Sequence, residues 1–212
     1  MKAVIFDLDG VIVDSERYWK EGENRMFHDL IPGWKEEDHH RIVGMTIDDT
    51  YAFLQKECGL SLSFPDYIEH YDALGDTVYE QCSLIDGVAS LMSAIHARGF
   101  SIGIASSAPR KRIMAVLTKY DLGKYVQAIT CADDIPAGEG KPQPTIYRKA
   151  AGALHVPVSD CIAIEDATNG ILSAKAAGMY CMGLHNGVND DQDLSPADMT
   201  IDSLKDFPIG ML

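Results

Sequence analysis

Short apolar runs alternate along much of this chain with longer segments whose apolar residues recur every three or four positions. Short runs rich in β-branched residues predict buried strands, and the longer period predicts amphipathic helices. The runs that predict strands are 3–8, 101–106, 128–132, 161–164, 180–184 and 199–201. Strands that alternate with helices predict an α/β fold, a Rossmann-like parallel sheet with helices on both faces.

Residues 15–84 break this alternation. Their apolar residues follow the helical period only, and turn residues such as Pro32, Gly33 and Gly59 divide them into separate segments. The segment stands between the first predicted strand and the second. We therefore predict a small all-helical domain at 15–84, inserted into a core domain made of residues 1–14 and 85–212.

Composition narrows the classes of partner. The 212 residues carry a net charge of −14, which argues against nucleic acid or an anionic membrane surface as a partner. A small anionic substrate remains compatible, because it responds to the local field of its site. The five cysteines include no CxxC pair, which is typical of a reduced, cytoplasmic protein. We expect a monomer or a small homo-oligomer.

Acidic side chains follow two of the predicted strands, at the sheet edge where parallel sheets bind ligands. Asp7 and Asp9 end the first strand, where i and i+2 share a face, and Glu165 and Asp166 end the fourth. Two carboxylates ~4 Å apart repel by about 4 kcal/mol at an effective dielectric near 20. A divalent cation relieves this repulsion, and an all-oxygen set with room for water favours Mg²⁺. The acids therefore predict a magnesium site.

Two further motifs suit a phosphoryl group. Ser106 and Ser107 end the second strand just before a helix, where a hydroxyl and free backbone N–H groups can hold a phosphate. An ordinary helix cap explains either serine alone equally well. Lys141 is the one basic residue between Gln127 and Ile146, and a lysine beside an acidic metal site attracts a phosphoryl group.

Together, and in chain order, these motifs resemble those of the haloacid dehalogenase superfamily over nearly the whole chain. The matching residues are Asp7-Leu8-Asp9-Gly10, Ser106, Lys141 with Pro142 and Pro144, and Glu165-Asp166. The helical insertion resembles the cap domain of that superfamily. Residues 6–15 resemble the branch that contains beta-phosphoglucomutase and sugar-phosphate phosphatases.

The resemblance implies a role for each core residue. Asp7 would be the nucleophile that forms an aspartyl-phosphate. Asp9 would protonate the leaving oxygen and then take a proton from the attacking water. Ser106 and Lys141 would hold the transferred phosphoryl group.

The resemblance also implies the metal ligands. The Asp7 side chain, the Asp9 backbone carbonyl and the Asp166 side chain would hold Mg²⁺, with Glu165 close by. Gly10 would form the flexible turn that lets the cap close over the substrate.

The reaction predicted from these residues is hydrolysis of a small phosphorylated metabolite, a sugar or polyol phosphate. Asp9 favours phosphoryl transfer over dehalogenation, because a halide leaving group needs no proton. A phosphomutase of the beta-phosphoglucomutase type is the alternative. Trp19, Val43 and Ile47 stand where that mutase has histidine, lysine and arginine, if Gly44 aligns with the mutase's cap glycine, and this favours hydrolysis. A second alternative is a non-enzymatic, phospho-accepting domain of the receiver type.

Substrate contacts are predicted in both domains. They are Gly10 and Ser107 in the core, and Trp19, Arg41, Gly44 and Met45 in the cap. The spacing of Trp19 fits the apolar core of the cap equally well. His39 and His40 are adjacent, have no partner at a metal-ligand spacing, and are predicted to lie on the surface.

Overall fold

Six parallel strands form one sheet in the computed structural model, which describes residues 1–212. The strands are Ala3–Phe6 (β1), Ser101–Ala105 (β2), Ala128–Thr130 (β3), Cys161–Glu165 (β4), Tyr180–Leu184 (β5) and Met199–Ile201 (β6). Their order across the sheet is β3-β2-β1-β4-β5-β6. The predicted α/β fold is confirmed. The first three strands end one to two residues earlier than the apolar runs do.

Helices cover both faces of the sheet, as the apolar pattern predicts. The core helices are Val88–Ala97 (α4), Arg110–Lys119 (α5), Thr145–Ala153 (α6) and Thr168–Ala177 (α7). Along β1, Val4 and Phe6 belong to the apolar cluster that includes α4, α5 and the inserted segment, whereas Ala3 and Ile5 pack with α6 and α7. This alternation follows from the two-residue period of a strand. None of the helices combines the length and apolar character needed to cross a membrane.

The inserted segment, residues 15–84, is called the cap below, and the remaining residues are called the core. The helices of the cap are Glu16–Leu30 (α1), Ile47–Phe53 (α2) and Phe64–Gln81 (α3), with a 3₁₀ turn at Glu36–Arg41. Thr46 and Ser63 begin α2 and α3, and each hydroxyl accepts from a backbone N–H of the first turn. Buried aromatic residues join α1 to α3, with the rings of Trp19 and Tyr71 stacked 5.2 Å apart.

The two connections between cap and core lie side by side. Val13 forms an antiparallel bridge with Leu84. The Asp14 N–H donates to the Ser83 carbonyl over 2.9 Å. The cap therefore leaves and rejoins the core at one point.

Hydrogen bonds also join the far side of the cap to the core. The Ser107 hydroxyl donates to the Gly44 carbonyl over 2.8 Å, and the Asn169 amide donates to the Val43 carbonyl over 2.8 Å. These contacts hold the loop before α2 over the carboxyl edge of the sheet. The inserted segment therefore contacts the core at this edge as well as at its two connections.

Candidate active site

A buried lysine joins two carboxylates at the carboxyl edge of the sheet. Asp7 follows β1 and Glu165 ends β4, and these two strands are neighbours. Lys141, from the loop before α6, places its Nζ 2.7 Å from Asp7 Oδ1 and 2.6 Å from Glu165 Oε1. All three side chains are less than one-tenth exposed. Because these charged groups are buried, each depends on its partner, since an unpaired buried charge is costly.

The pKa values in this cluster reflect burial first and neighbouring charges second. Burial raises the pKa of Asp7 to about 7. The positive charge of Lys141 opposes this rise, and the negative charges of Glu165 and Asp9 add to it. Burial alone would lower the pKa of Lys141, but the charges of Asp7 and Glu165 outweigh it and raise that pKa. The lysine therefore stays protonated, and its single positive charge is shared between two acids.

The cluster has the donors and the excess charge that suit a divalent cation. Asp7, Glu165 and Asp166 each offer an oxygen, and these oxygens lie within 4.8 Å of one another. Glu165 Oε2 is buried and has no hydrogen-bond partner, although Oε1 accepts from Lys141 and Tyr147. Burial, followed by the charge of Glu16, raises the pKa of Asp166 well above its usual range. An all-oxygen site with an unpaired carboxylate oxygen fits Mg²⁺.

Asp9 is held by the cap rather than by this cluster. Its carboxylate accepts hydrogen bonds from the Ser15 hydroxyl at 2.6 Å and the Trp19 indole at 3.4 Å. The Tyr79 hydroxyl lies 2.8 Å from both carboxylate oxygens. Because β1 ends at Phe6, the strand alternation that placed Asp7 and Asp9 on one face does not extend to them. The cap residues orient Asp9 instead.

Burial raises the pKa of Asp9, although the hydrogen bonds from Ser15, Tyr79 and Trp19 oppose the change. Arg112 adds a positive charge from the core, with its guanidinium carbon 5.5 Å from the Trp19 ring centre and 5.8 Å from that of Tyr79. A carboxyl group with a raised pKa is suited to exchange a proton near neutral pH.

The two serines have different contacts. The Ser106 hydroxyl is buried and accepts from the Ala108 N–H at 3.0 Å, which is a turn contact two residues along the chain, ahead of α5. The Ser107 hydroxyl faces the cap and donates to Gly44. Neither serine therefore caps α5, and a phosphate contact of either serine stays a prediction.

A cavity of about 70 Å³ lies between cap and core beside Asp9. Trp19, Gly44 and Met45 line it, and their contact with a leaving group stays a prediction. Arg41 does not line it. Its guanidinium lies 3.5 Å from Asp38 and stacks on the Phe53 ring, so the placement of Arg41 gives no support to its predicted contact.

Residues 4–184 match the model of one family, described as haloacid dehalogenase-like hydrolase. The chain belongs to this family. The haloacid dehalogenase-like assignment predicted from the motifs is thus confirmed, and with it the prediction of an enzyme rather than a non-enzymatic domain.

Several haloacid dehalogenase-like proteins are similar over most of their length. Hexitol phosphatase B of Escherichia coli (strain K12) is 30% identical over 182 residues, which cover 84% of this chain and 80% of that protein. Beta-phosphoglucomutase of Bacillus subtilis (strain 168) is 27% identical over 221 residues, covering 100% of this chain and 94% of that protein. The crystal structure of beta-phosphoglucomutase from Clostridium difficile has a TM-score of 0.83 at 23% identity, covering 100% of this chain and 95% of that chain. This last likeness shows the shared fold.

One prediction for the haloacid dehalogenase-like cap is wrong. His39 does not lie on the surface: it is 2% exposed, and its Nε2 lies 2.6 Å from Glu23 Oε2. Glu23 comes from α1 and is itself buried, so it supplies the partner that local spacing did not reveal. His40 is exposed, as predicted.

Three residues at the site were not indicated by any motif. Tyr79 and Arg112 surround Asp9, and the Asn186 amide donates to Asp166 Oδ2 over 2.8 Å. Asn186 follows β5, so its place at the carboxyl edge of a strand is a signal that could have found it. Tyr79 lies on the apolar face of α3, and Arg112 lies in the basic first turn of α5. Apolar faces and basic first turns are common in helices, so neither feature marks a site residue.

Gly170 allows the Glu165 carboxylate to lie where it does, since a methyl group at residue 170 would overlap that carboxylate. We expect Gly170→Ala to displace Glu165, to destabilise the fold by about 1–3 kcal/mol and to weaken Mg²⁺ binding by about tenfold. The Mg²⁺-dependent rise in Tm, titrated with the metal, measures both effects. Gly152→Ala is the matched control, because a methyl group there meets no atom within 4 Å. Equal Mg²⁺ titrations for the two variants would contradict the expectation.

Proposed function

We propose that this haloacid dehalogenase-like enzyme is a Mg²⁺-dependent phosphatase that hydrolyses a small phosphorylated metabolite, a sugar or polyol phosphate. The observation that carries the proposal is Lys141, which is buried between Asp7 and Glu165 beside a third acid, Asp166. Such a cluster attracts an anionic phosphoryl group to a carboxylate nucleophile once a cation balances the acids. The similarity to hexitol phosphatase B supports the substrate class.

The proposed reaction has two steps. In the first, an Asp7 carboxylate oxygen bonds to phosphorus while the bond from phosphorus to the leaving oxygen breaks, and Asp9 donates a proton to that oxygen. In the second, Asp9 takes a proton from water, which attacks phosphorus and releases phosphate from Asp7. Lys141 balances the charge on the phosphoryl oxygens throughout. The Ser106 hydroxyl is proposed to hold the same oxygens.

Asp7, Asp166 and the Asp9 backbone carbonyl are the proposed Mg²⁺ ligands, with Glu165 beside them. A bound Mg²⁺ ion supplies positive charge that lets the phosphoryl oxygens approach the Asp7 carboxylate. The unpaired Glu165 Oε2 and the excess of acids over lysine support this assignment.

A cytoplasmic location is also proposed. All five cysteines are free, and Cys82, Cys131, Cys161 and Cys181 are buried. Buried thiols without disulfides fit a reducing compartment.

Phosphate release from a panel of sugar and polyol phosphates tests the function. We expect release to depend on Mg²⁺ and to fall at least about 100-fold when a chelator removes the ion. The mutase alternative predicts a different product: hexose 1-phosphate with a bisphosphate primer would give the 6-phosphate and little free phosphate. Release that is unchanged by the chelator would contradict the Mg²⁺-dependent mechanism.

A further inference from the structure

A buried arginine of the core packs against the cap residues that hold Asp9. Arg112 lies in the first turn of α5 and is 4% exposed. Its guanidinium carbon lies over the rings of Trp19 and Tyr79, 5.5 and 5.8 Å from their centres. The Trp19 indole and the Tyr79 hydroxyl both donate to the Asp9 carboxylate. Arg112 therefore contacts the donors that orient Asp9.

Hydrogen bonds join Arg112 to α3 of the cap. Its Nη2 donates to the Tyr71 carbonyl over 3.2 Å and to Asp72 Oδ1 over 3.0 Å. Gly75, one turn further along α3, leaves room for the guanidinium, since a methyl group there would overlap it. Tyr79 follows after one more turn, so Tyr71, Gly75 and Tyr79 share one face of the helix. Arg112 thus connects α5 of the core to the face of α3 that carries Tyr79.

Stability alone does not account for this arginine. Its Nε is buried and has no hydrogen-bond partner, and an unpaired buried donor is costly. Its neighbour Lys111 already supplies an exposed ion pair to the same Asp72 oxygen, over 3.0 Å. A buried ion pair often stabilises a fold no better than apolar residues of the same volume. Arg112 differs from Lys111 in its burial and in its contact with the two rings.

The charge of Arg112 suits the rings and the acid that they hold. A guanidinium over an aromatic ring is attracted to the negative face of that ring. Burial raises the pKa of both Tyr79 and Asp9, and the positive charge of Arg112 opposes each rise. A positive charge behind Tyr79 therefore favours donation from its hydroxyl to the Asp9 carboxylate.

We propose that Arg112 is a positioning residue, which fixes Trp19 and Tyr79 so that the Asp9 carboxyl group faces the leaving oxygen during proton donation. This inference rests on the proposed phosphatase function and goes beyond it. It assigns a part in proton transfer to a residue that lies outside the acidic cluster around Lys141.

Two kinds of phosphate ester separate the positioning of the acid from general damage to the site. An alkyl phosphate releases a strongly basic oxygen that needs a proton from Asp9, whereas acetyl phosphate releases acetate, a stable anion that needs none. Both require the same nucleophile and Mg²⁺. The ratio of kcat/KM for the best alkyl phosphate of the panel to kcat/KM for acetyl phosphate therefore measures proton donation. If acetyl phosphate is not hydrolysed, 4-nitrophenyl phosphate replaces it, because nitrophenolate also leaves without a proton.

We expect Arg112→Met to lower this ratio at least about tenfold, because methionine lacks the charge and the hydrogen bonds that fix the two rings. Arg112→Lys keeps a positive charge beside the rings and should lower the ratio by less than about threefold. Lys111→Met is the matched control. It removes the other ion pair to Asp72 without touching the rings, so the ratio should not change.

A second variant keeps the proposal testable if Arg112→Met does not fold. Gly75→Ala displaces the guanidinium, and a helix accepts alanine readily, so this variant should fold and lower the ratio at least about threefold. Equal losses on the two esters, or a ratio in Arg112→Met equal to that in Lys111→Met, would overturn the proposal while phosphate release persists. Absence of phosphate release from every alkyl ester would instead overturn the proposed function.

Discussion

Replacing Asp7 with asparagine is expected to reduce phosphate release by at least about 10⁴-fold, because an amide cannot attack phosphorus to form the acyl phosphate. The asparagine side chain would keep an oxygen that accepts from Lys141, so the site should otherwise hold its shape. Initial rates with the best substrate at saturating Mg²⁺ measure the effect. Asp133→Asn, at an exposed aspartate of the core, is the control and should retain full activity.

The same variant should remain folded without Mg²⁺. The pKa of Asp7 is raised from 3.8 to about 7, so its ionisation removes stability as the pH rises through that interval. Asp7→Asn should therefore gain stability relative to the unmodified protein at pH 8, and the gain should shrink at pH 5. Thermal unfolding at the two pH values measures it. Undiminished phosphate release by the folded variant would show that Asp7 is not the nucleophile.

Replacing Lys141 with methionine is the second large expected effect, and it acts on both activity and stability. The change leaves the buried Asp7 and Glu165 carboxylates without their counter-ion. Removing one partner of a buried pair costs about 3–5 kcal/mol, and losing a charge that stabilises the transition state lowers kcat by about 10²–10³-fold. Denaturant unfolding without Mg²⁺ measures the first effect, and steady-state rates measure the second.

The stability loss of Lys141→Met should depend on pH and on metal. Lys141 opposes the rise in the pKa of Asp7, so without the lysine Asp7 binds a proton more readily, and the loss should be small at pH 5 and should grow as the pH rises to 8. Mg²⁺ should recover part of it. Lys149→Met, at an exposed residue of α6, should change stability by less than about 0.5 kcal/mol. A Lys141→Met protein as stable as this control at pH 8 would contradict the ion-pair argument.

Local patterns were sufficient for the sheet and for the residues at its carboxyl edge. β1 and β4 are apolar runs that end in acids, and parallel strands bring such ends together whatever loops connect them. Asp7, Glu165 and Asp166 could therefore be placed in one cluster before any coordinates were considered. Lys141 follows no strand, so its place near the acids was implied by the family resemblance, and the structure shows its contacts with both Asp7 and Glu165.

The polar contacts of the cap could not be predicted from local patterns, because they join residues that are far apart in sequence. Glu23 and Tyr71 are separated by 48 positions and come from different helices, yet they contact each other inside the cap. Helical spacing shows that such residues face inward, but it does not show which of them meet. The orientation of Asp9 could not be predicted for the same reason, since Tyr79, which contacts it, is 70 positions away.

The adjoining connections at Val13–Leu84 and Asp14–Ser83 have an evolutionary consequence. A segment whose two ends lie side by side can lengthen, shorten or be exchanged without displacing the strands that flank it. Asp7, Glu165 and Asp166 belong to the core, whereas the cavity wall around Glu23 belongs to the inserted segment. Mutations in the inserted segment that spare Ser15, Trp19 and Tyr79, which hold Asp9, could thus change the cavity wall and leave the acids and the lysine of the core in place. One core domain could in this way acquire different cavity walls through exchange or mutation of the inserted segment.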